Sequence, residues 1–90
     1  MKSNKNDILE NHCYTELVYK RINKKLNTNL SNSETETLIK SVLKETDVEN
    51  YKKKGKNFYI SNKDYNIRIT INSNTFRIIT VDRIRKIITT

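Results

Sequence analysis

The sequence predicts an α+β domain in which two N-terminal helices cover one face of a three-stranded antiparallel meander. Three observations carry that expectation. Apolar residues recur at three- and four-residue spacing from Tyr14 to Leu26 and again from Leu38 to Leu43, the period of an amphipathic helix. From Asn66 the period changes to two, with Ile67, Ile69 and Ile71 alternating with Arg68 and Thr70, as in a strand with one buried face. Ser73-Asn74 then offers a turn, and Thr75 to Val81 is a second run rich in β-branched residues, which reads as a hairpin.

In chain order, residues 1–6 are polar, lack an apolar anchor and are expected to fray. Asp7 or Asn11 can cap a first helix over about 7–26, whose face carries Tyr14, Leu17, Val18, Ile22 and Leu26. Leu9 and Cys13 project off that face. Either the helix is buried on two sides, or a break near Asn11 separates Ile8-Leu9 from the rest. Asn27-Thr28-Asn29 ends it.

A second helix over about 32–46 follows two overlapping capping boxes, Ser31 with Glu34 and Ser33 with Glu36. Its apolar stripe is Leu38, Ile39, Val42 and Leu43. Glu49 to Lys56 reads as a charged linker around the single glycine. Strands are expected over about 57–61, 66–72 and 75–81. Phe58 and Ile60 point inward and Tyr59 outward. A two-residue loop sets Ile71 opposite Phe76, Ile69 opposite Ile78 and Ile67 opposite Thr80. Arg68, Thr70, Arg77, Ile79 and Val81 then form a reverse face, half apolar and half basic. Ile84, Ile87 and Ile88 suit a short C-terminal helix, and alternation through Lys86 also permits a strand.

Ninety residues make one domain, 1–90, near the lower end of what a single core can hold. A lone cysteine, Cys13, excludes an internal disulfide and fits a reducing cytoplasm. No apolar run approaches the ~20 residues of a membrane span, and MKSNKNDILEN contains no secretory apolar region. The expectation is a cytoplasmic protein with no membrane partner.

Charge is unevenly placed. Residues 1–30 hold six basic and three acidic side chains, residues 31–50 two and five, and residues 51–90 ten and two. The β-rich part alone therefore carries a net +8, the footprint of a polyanion partner. Lysine enrichment of this kind also accompanies the AT-rich coding that the abundance of Asn, Lys and Ile suggests.

Arg68 and Arg77 fall on the reverse face, with Arg83 beyond its edge, Tyr59 beside them and Tyr65 in the adjoining turn. Guanidinium groups bind phosphate bidentately and exposed aromatics stack on unpaired bases. Lys52, Lys53, Lys54 and Lys56 add phosphate contacts from the linker. RNA or single-stranded DNA is the expected partner. The same arginines can equally lie across a half-apolar sheet, covering it with their stems.

Other chemistry finds little support. The pattern of a phosphate-binding glycine loop is absent. His12 and Cys13 are each unique, so no zinc set forms from them. As helical neighbours they point about 100° apart, which rules against a nucleophile pair. Cys13 reads as a small buried hydrophobe. No catalytic residue, metal or cofactor is expected.

HCYTELVYKRINKKL (residues 12–26) and KGKNFYISNKDYNIRITINSNTFRIITVDRI (residues 54–84) resemble a small family of uncharacterised bacterial domains. That resemblance implies a compact stand-alone protein and names no activity. The last third also resembles the C-terminal sheet of RelE/ParE/BrnT-type toxins. This second resemblance implies a metal-free endoribonuclease in a toxin–antitoxin pair, with Arg68, Arg77, Arg83 and Tyr59 or Tyr65 in the catalytic roles. Those folds open with a strand before the helix pair, and residues 1–11 show none. The leading expectation is a non-catalytic nucleic-acid-binding domain. A ribonuclease toxin is the first alternative, and a protein-interaction module or homodimer using Ile79 and Val81 is the second.

Overall fold

A computed structural model describes residues 4–85. Three helices, α1 (Asn4–Asn11), α2 (Glu16–Leu26) and α3 (Asn32–Glu45), precede four strands. The strands are β1 (Tyr51–Lys54), β2 (Asn57–Asn62), β3 (Ile67–Asn72) and β4 (Ile78–Arg83). They form an antiparallel meander in sequence order. The class is the predicted one, with four strands in place of three. Residues 86–90, where most of the expected C-terminal helix would fall, lie outside the described residues.

The single helix expected over 7–26 is two. α1 already includes Asn4 to Asn6, where fraying was expected, and Lys5 Nζ donates to Thr46 O at 2.8 Å. After Asn11 the chain extends. Cys13 N–H donates to Phe76 O at 2.9 Å, and Cys13 O accepts from Ile78 N–H at 3.0 Å. This is one parallel rung beside Arg77. On either side of the break Ile8 and the α2 residues Val18, Ile22 and Leu26 are all buried in the core. Cys13 is exposed, contrary to its expected burial. Leu17 also leaves the apolar face, at 73% exposed.

Asn27 ends α2 in the left-handed region at φ 57, a conformation asparagine tolerates. The Asn23 side chain then clamps the connection, donating to Leu30 O and accepting from Leu30 N–H. At α3, Ser31 and Glu34 form the complete capping box. Glu36 does not join a second box; its carboxylate accepts from the Tyr19 hydroxyl at 2.5 Å.

The presumed linker contains β1. Tyr51 supplies its one buried side chain and donates its hydroxyl to Leu43 O. Lys54 pairs with Asn57 across the two-residue loop Gly55-Lys56. Gly55 has φ 63, at the first loop position, where a II′ hairpin turn calls for glycine.

β4 also departs from expectation. Ile71 pairs with Ile78, not Phe76, and beyond a bulge Thr70 pairs with Thr80 and Ile69 with Val81. The strand therefore starts three residues later than expected, and Phe76 turns at φ 59 within the loop. The shift places Val81 in the core at 0% exposure. It replaces Phe76, which is only partly buried at the core margin.

The core lies between the sheet and the helix layer. Ile8, Val18, Ile22, Leu26, Ile39, Val42 and Leu43 cover Tyr51, Phe58, Ile60, Ile67, Ile69, Ile71, Ile78 and Val81. Each such side chain contributes about 2 kcal/mol of burial free energy. Thr35, Thr46 and Asn62 are the polar residues buried with this core, and Asn62 donates to Thr46 Oγ1 at 3.1 Å and accepts from Tyr65 N–H. Its buried amide is thereby satisfied.

Candidate functional site

The helices occupy one face of the sheet, so the alternate side chains of each strand form the other. Register arranges them in rows. Lys52, Tyr59, Thr70 and Thr80 make one row; Lys54, Asn57 and Asn72 flank it on one side. Ser61, Arg68 and Asp82 flank it on the other. Neighbours within a row stand roughly 4.8 Å apart and successive rows roughly 6.8 Å apart.

Over β1, β2 and β3 this face forms a shallow groove of about 650 Å³, lined by Asn50, Lys52, Lys54, Gly55, Tyr59, Ser61 and Arg68. Toward β4 it is closed, with Thr70 only 7% exposed and the Thr80 hydroxyl buried without a partner among the described residues. Lys52, Lys54 and Arg68 are exposed and Tyr59 is half-buried. Among the described residues one ion pair forms, Lys25 Nζ to Asp82 Oδ1 at 3.5 Å. It occupies the carboxylate in Arg68's row and leaves the groove cations unpaired.

Four of the nine residues singled out from the sequence thus converge: Lys52, Lys54, Tyr59 and Arg68. Lys53 is exposed on β1 opposite Phe58, on the helix side, and Lys56 sits in the hairpin loop. Arg77 is outside the sheet, beside Cys13. β4 begins only at Ile78, so Arg77 falls in the hairpin end opposite Asn72 and not in the middle of the reverse face. Arg83 pairs with Ile67 and so points to the helix side. Its guanidinium donates to Leu26 O and Tyr65 O, each at 3.4 Å. Tyr65 donates to the Glu45 carboxylate at 2.7 Å.

The expected trio of Arg68, Arg77 and Arg83 is therefore dispersed. The half-apolar character of the reverse face is also lost, since Val81 is buried and Ile79 lies at the bulge. Asn50 and Ser61 were not anticipated. Ser61 is legible as two residues beyond Tyr59 on the same strand face, whereas Asn50 has no signal until β1 is known.

The five tyrosines divide sharply. Burial pushes the Tyr51 and Tyr14 hydroxyls well above the ordinary phenol range. The hydrogen bond to Glu36 pushes Tyr19 up to about 12. The bond to Glu45 raises Tyr65. Tyr14 and Tyr19 also stack at 5.3 Å. Tyr59 is the one that lines the groove.

His12 is half-buried, with Nδ1 2.8 Å from Ile8 O and 3.1 Å from Leu9 O. Both neighbours only accept, so Nδ1 carries the proton and satisfies carbonyls at the end of α1. Among the described residues no carboxylate, imidazole or thiol lines the groove. Among the described residues no group of three or more His, Cys, Asp or Glu could hold a metal ion, and no helix is long and apolar enough to cross a membrane. What the groove offers is cationic charge, one aromatic ring and neutral hydrogen-bonding groups.

No curated protein and no solved structure matches the chain, so the resemblance to RelE/ParE/BrnT-type toxins gains no support from either comparison. A family model does match, from Asn6 in α1 to Asp82 in β4, a span that includes the whole groove. The chain belongs to the family described as Protein of unknown function (DUF3781).

Proposed function

We propose that the protein is a small, basic, non-catalytic nucleic-acid-binding domain that contacts phosphates through the sheet face opposite its helices. One observation carries the reading: Lys52, Lys54 and Arg68 meet around Tyr59 in one groove, within a segment of net charge +8. Phosphates neutralised there release their condensed counterions, which supplies affinity without sequence preference. The lone cysteine supports a cytoplasmic setting.

The test is fluorescence anisotropy with a labelled mixed-sequence RNA and the matching DNA, titrated at low and then rising salt. The expected result is binding that weakens steeply with salt and collapses when Lys52, Lys54 and Arg68 are all changed to Ala. No affinity at low salt, or affinity untouched by the triple change, overturns the reading.

A further inference from the structure

The groove is one-sided, and its geometry bears on which form of nucleic acid fits. Lys52 and Lys54 lie along β1, two residues apart, so their ammonium groups rise from positions roughly 6.8 Å apart on one line. Tyr59 is the cross-strand partner of Lys52, and its ring stands between that line and Arg68. Arg68 occupies the next strand and the next row, because it pairs with Ser61. Such a diagonal neighbour is roughly 7–8 Å away, within reach of a long side chain. Cations thus flank an aromatic ring on two sides. Ser61 and Asn50 supply neutral polar groups at the same end of the groove as Arg68.

A duplex presents phosphates to such a face but keeps its bases stacked inside. It can meet Lys52, Lys54 and Arg68 while leaving Tyr59 uncovered. An unpaired strand can satisfy all four. Its backbone follows the two lysines, a splayed base covers the Tyr59 ring, and a later phosphate reaches Arg68. The other four tyrosines are held by Glu36, Glu45, Leu43 O or burial, and Tyr59 alone stands on this face.

From this arrangement we infer that the groove selects unpaired nucleic acid, seating one base on Tyr59 between a β1 phosphate track and Arg68. This inference rests on the basic-face reading above. The distance from Lys54 to Arg68 covers two strand spacings and two rows, which gives a short site of roughly four nucleotides, the low end for single-strand-binding surfaces. Charge alone would favour the duplex, whose phosphates are denser and release more counterions per contact; the ring is what favours the strand.

The experiment compares labelled oligonucleotides of about ten residues: a thymidine strand, an abasic strand of equal charge, and a hairpin duplex. Each is titrated by anisotropy against the intact chain and its Tyr59→Leu and Tyr59→Phe variants. The inference expects the thymidine strand to bind at least about tenfold more tightly than the abasic strand or the hairpin. Tyr59→Leu should weaken thymidine binding roughly 5- to 150-fold, leave the abasic strand and hairpin unchanged, and be rescued by Tyr59→Phe. Equal affinity for all three probes, or a Tyr59→Leu effect shared by all, overturns the inference while leaving the basic-face reading standing. Failure of every probe to bind at low salt overturns that reading and the inference with it. Circular dichroism of Tyr59→Leu confirms that the measured protein is folded.

Discussion

The hydroxyl of Tyr51, in the first strand, donates to the carbonyl of Leu43, in the last turn of α3. Helix ends leave four carbonyls without intrahelical partners, and side chains meet two of those at the end of α3. Val42 O accepts from Thr46 Oγ1 at 2.5 Å, and Leu43 O from Tyr51. The bond fastens β1, and with it Lys52 and Lys54, to the helix layer. Tyr51→Phe leaves the carbonyl buried and unpaired, so it should cost about 1–3 kcal/mol in urea unfolding. An unchanged midpoint would show that water replaces the bond.

Alkaline pH should destabilise the fold by the same residues. A tyrosine whose pKa is raised in the folded state contributes stability that is complete below its unfolded pKa, near 10. That contribution is lost as pH rises through the folded value. Tyr51 and Tyr14 are raised by burial and Tyr19 to about 12 by Glu36. The melting temperature should therefore fall from about pH 10 upward. Tyr51→Phe should melt lower at neutral pH yet show a shallower alkaline decline.

Arg83→Ala and Arg77→Ala should behave differently from Arg68→Ala. The Arg83 guanidinium holds Leu26 O at the end of α2 and Tyr65 O, so its loss should cost about 1 kcal/mol of stability. Oligonucleotide affinity of the folded variant should change little. Arg77, outside the groove, should be close to silent in both assays. Loss of binding in Arg77→Ala with Arg68→Ala unaffected would move the interface to the other edge of the sheet.

Salt dependence offers a finer measure on the groove itself. Each phosphate contact contributes roughly 0.7 to the slope of log affinity against log salt for single strands. Lys52→Ala and Lys54→Ala should each flatten the slope by about that amount and Lys53→Ala should not, since Lys53 faces the helix side. Equal flattening by all three would indicate diffuse attraction to net charge.

At α3, Ser31→Ala removes the acceptor for Glu34 N–H, and the cost should be about 1 kcal/mol. The bonds with Ser31 also hold the Glu34 carboxyl below its ordinary range. That small contribution is present at neutral pH and lost as pH falls through the folded value. The larger cause is the Ser31 backbone N–H, which Ser31→Ala keeps, so the acid loss should be shared largely by variant and parent and be removed by Glu34→Gln, as followed by thermal melts.

The sequence disclosed those parts of the fold in which one periodicity dominated. Phe58/Ile60 and Ile67/Ile69/Ile71 alternate without interruption, and β2 and β3 lie where that pattern places them. β1 was invisible because Tyr51-Lys52-Lys53-Lys54 presents one apolar residue in four, and its membership of the sheet is secured by Tyr51 reaching α3. The register of β4 was undetermined for the opposite reason. Ile78-Ile79-Thr80-Val81 is apolar in both parities, so either face could be the buried one, and a bulge decides it. Arg77 was misplaced for another reason: the turn is longer than two residues, so Ile78 lies opposite Ile71 and Arg77 opposite Asn72 at the hairpin end. The division of the first helix did leave a trace, since Leu9 and Cys13 stand off the apolar stripe. No proline or glycine marks the break; two hydrogen bonds from Cys13 to a distant loop and strand make it.

β1 has a further consequence, independent of any ligand. It is the terminal strand of the meander, and its lysines alternate across both faces, Lys52 and Lys54 on one and Lys53 on the other. Two copies meeting edge to edge would oppose lysine with lysine whichever face was turned up, which is how sheets resist joining into fibres. Acetylating these amines, or replacing them with glutamine, would remove that repulsion and leave a bare backbone edge open to self-association. Charge that draws in a polyanion would, at this strand, also be what keeps the protein in solution.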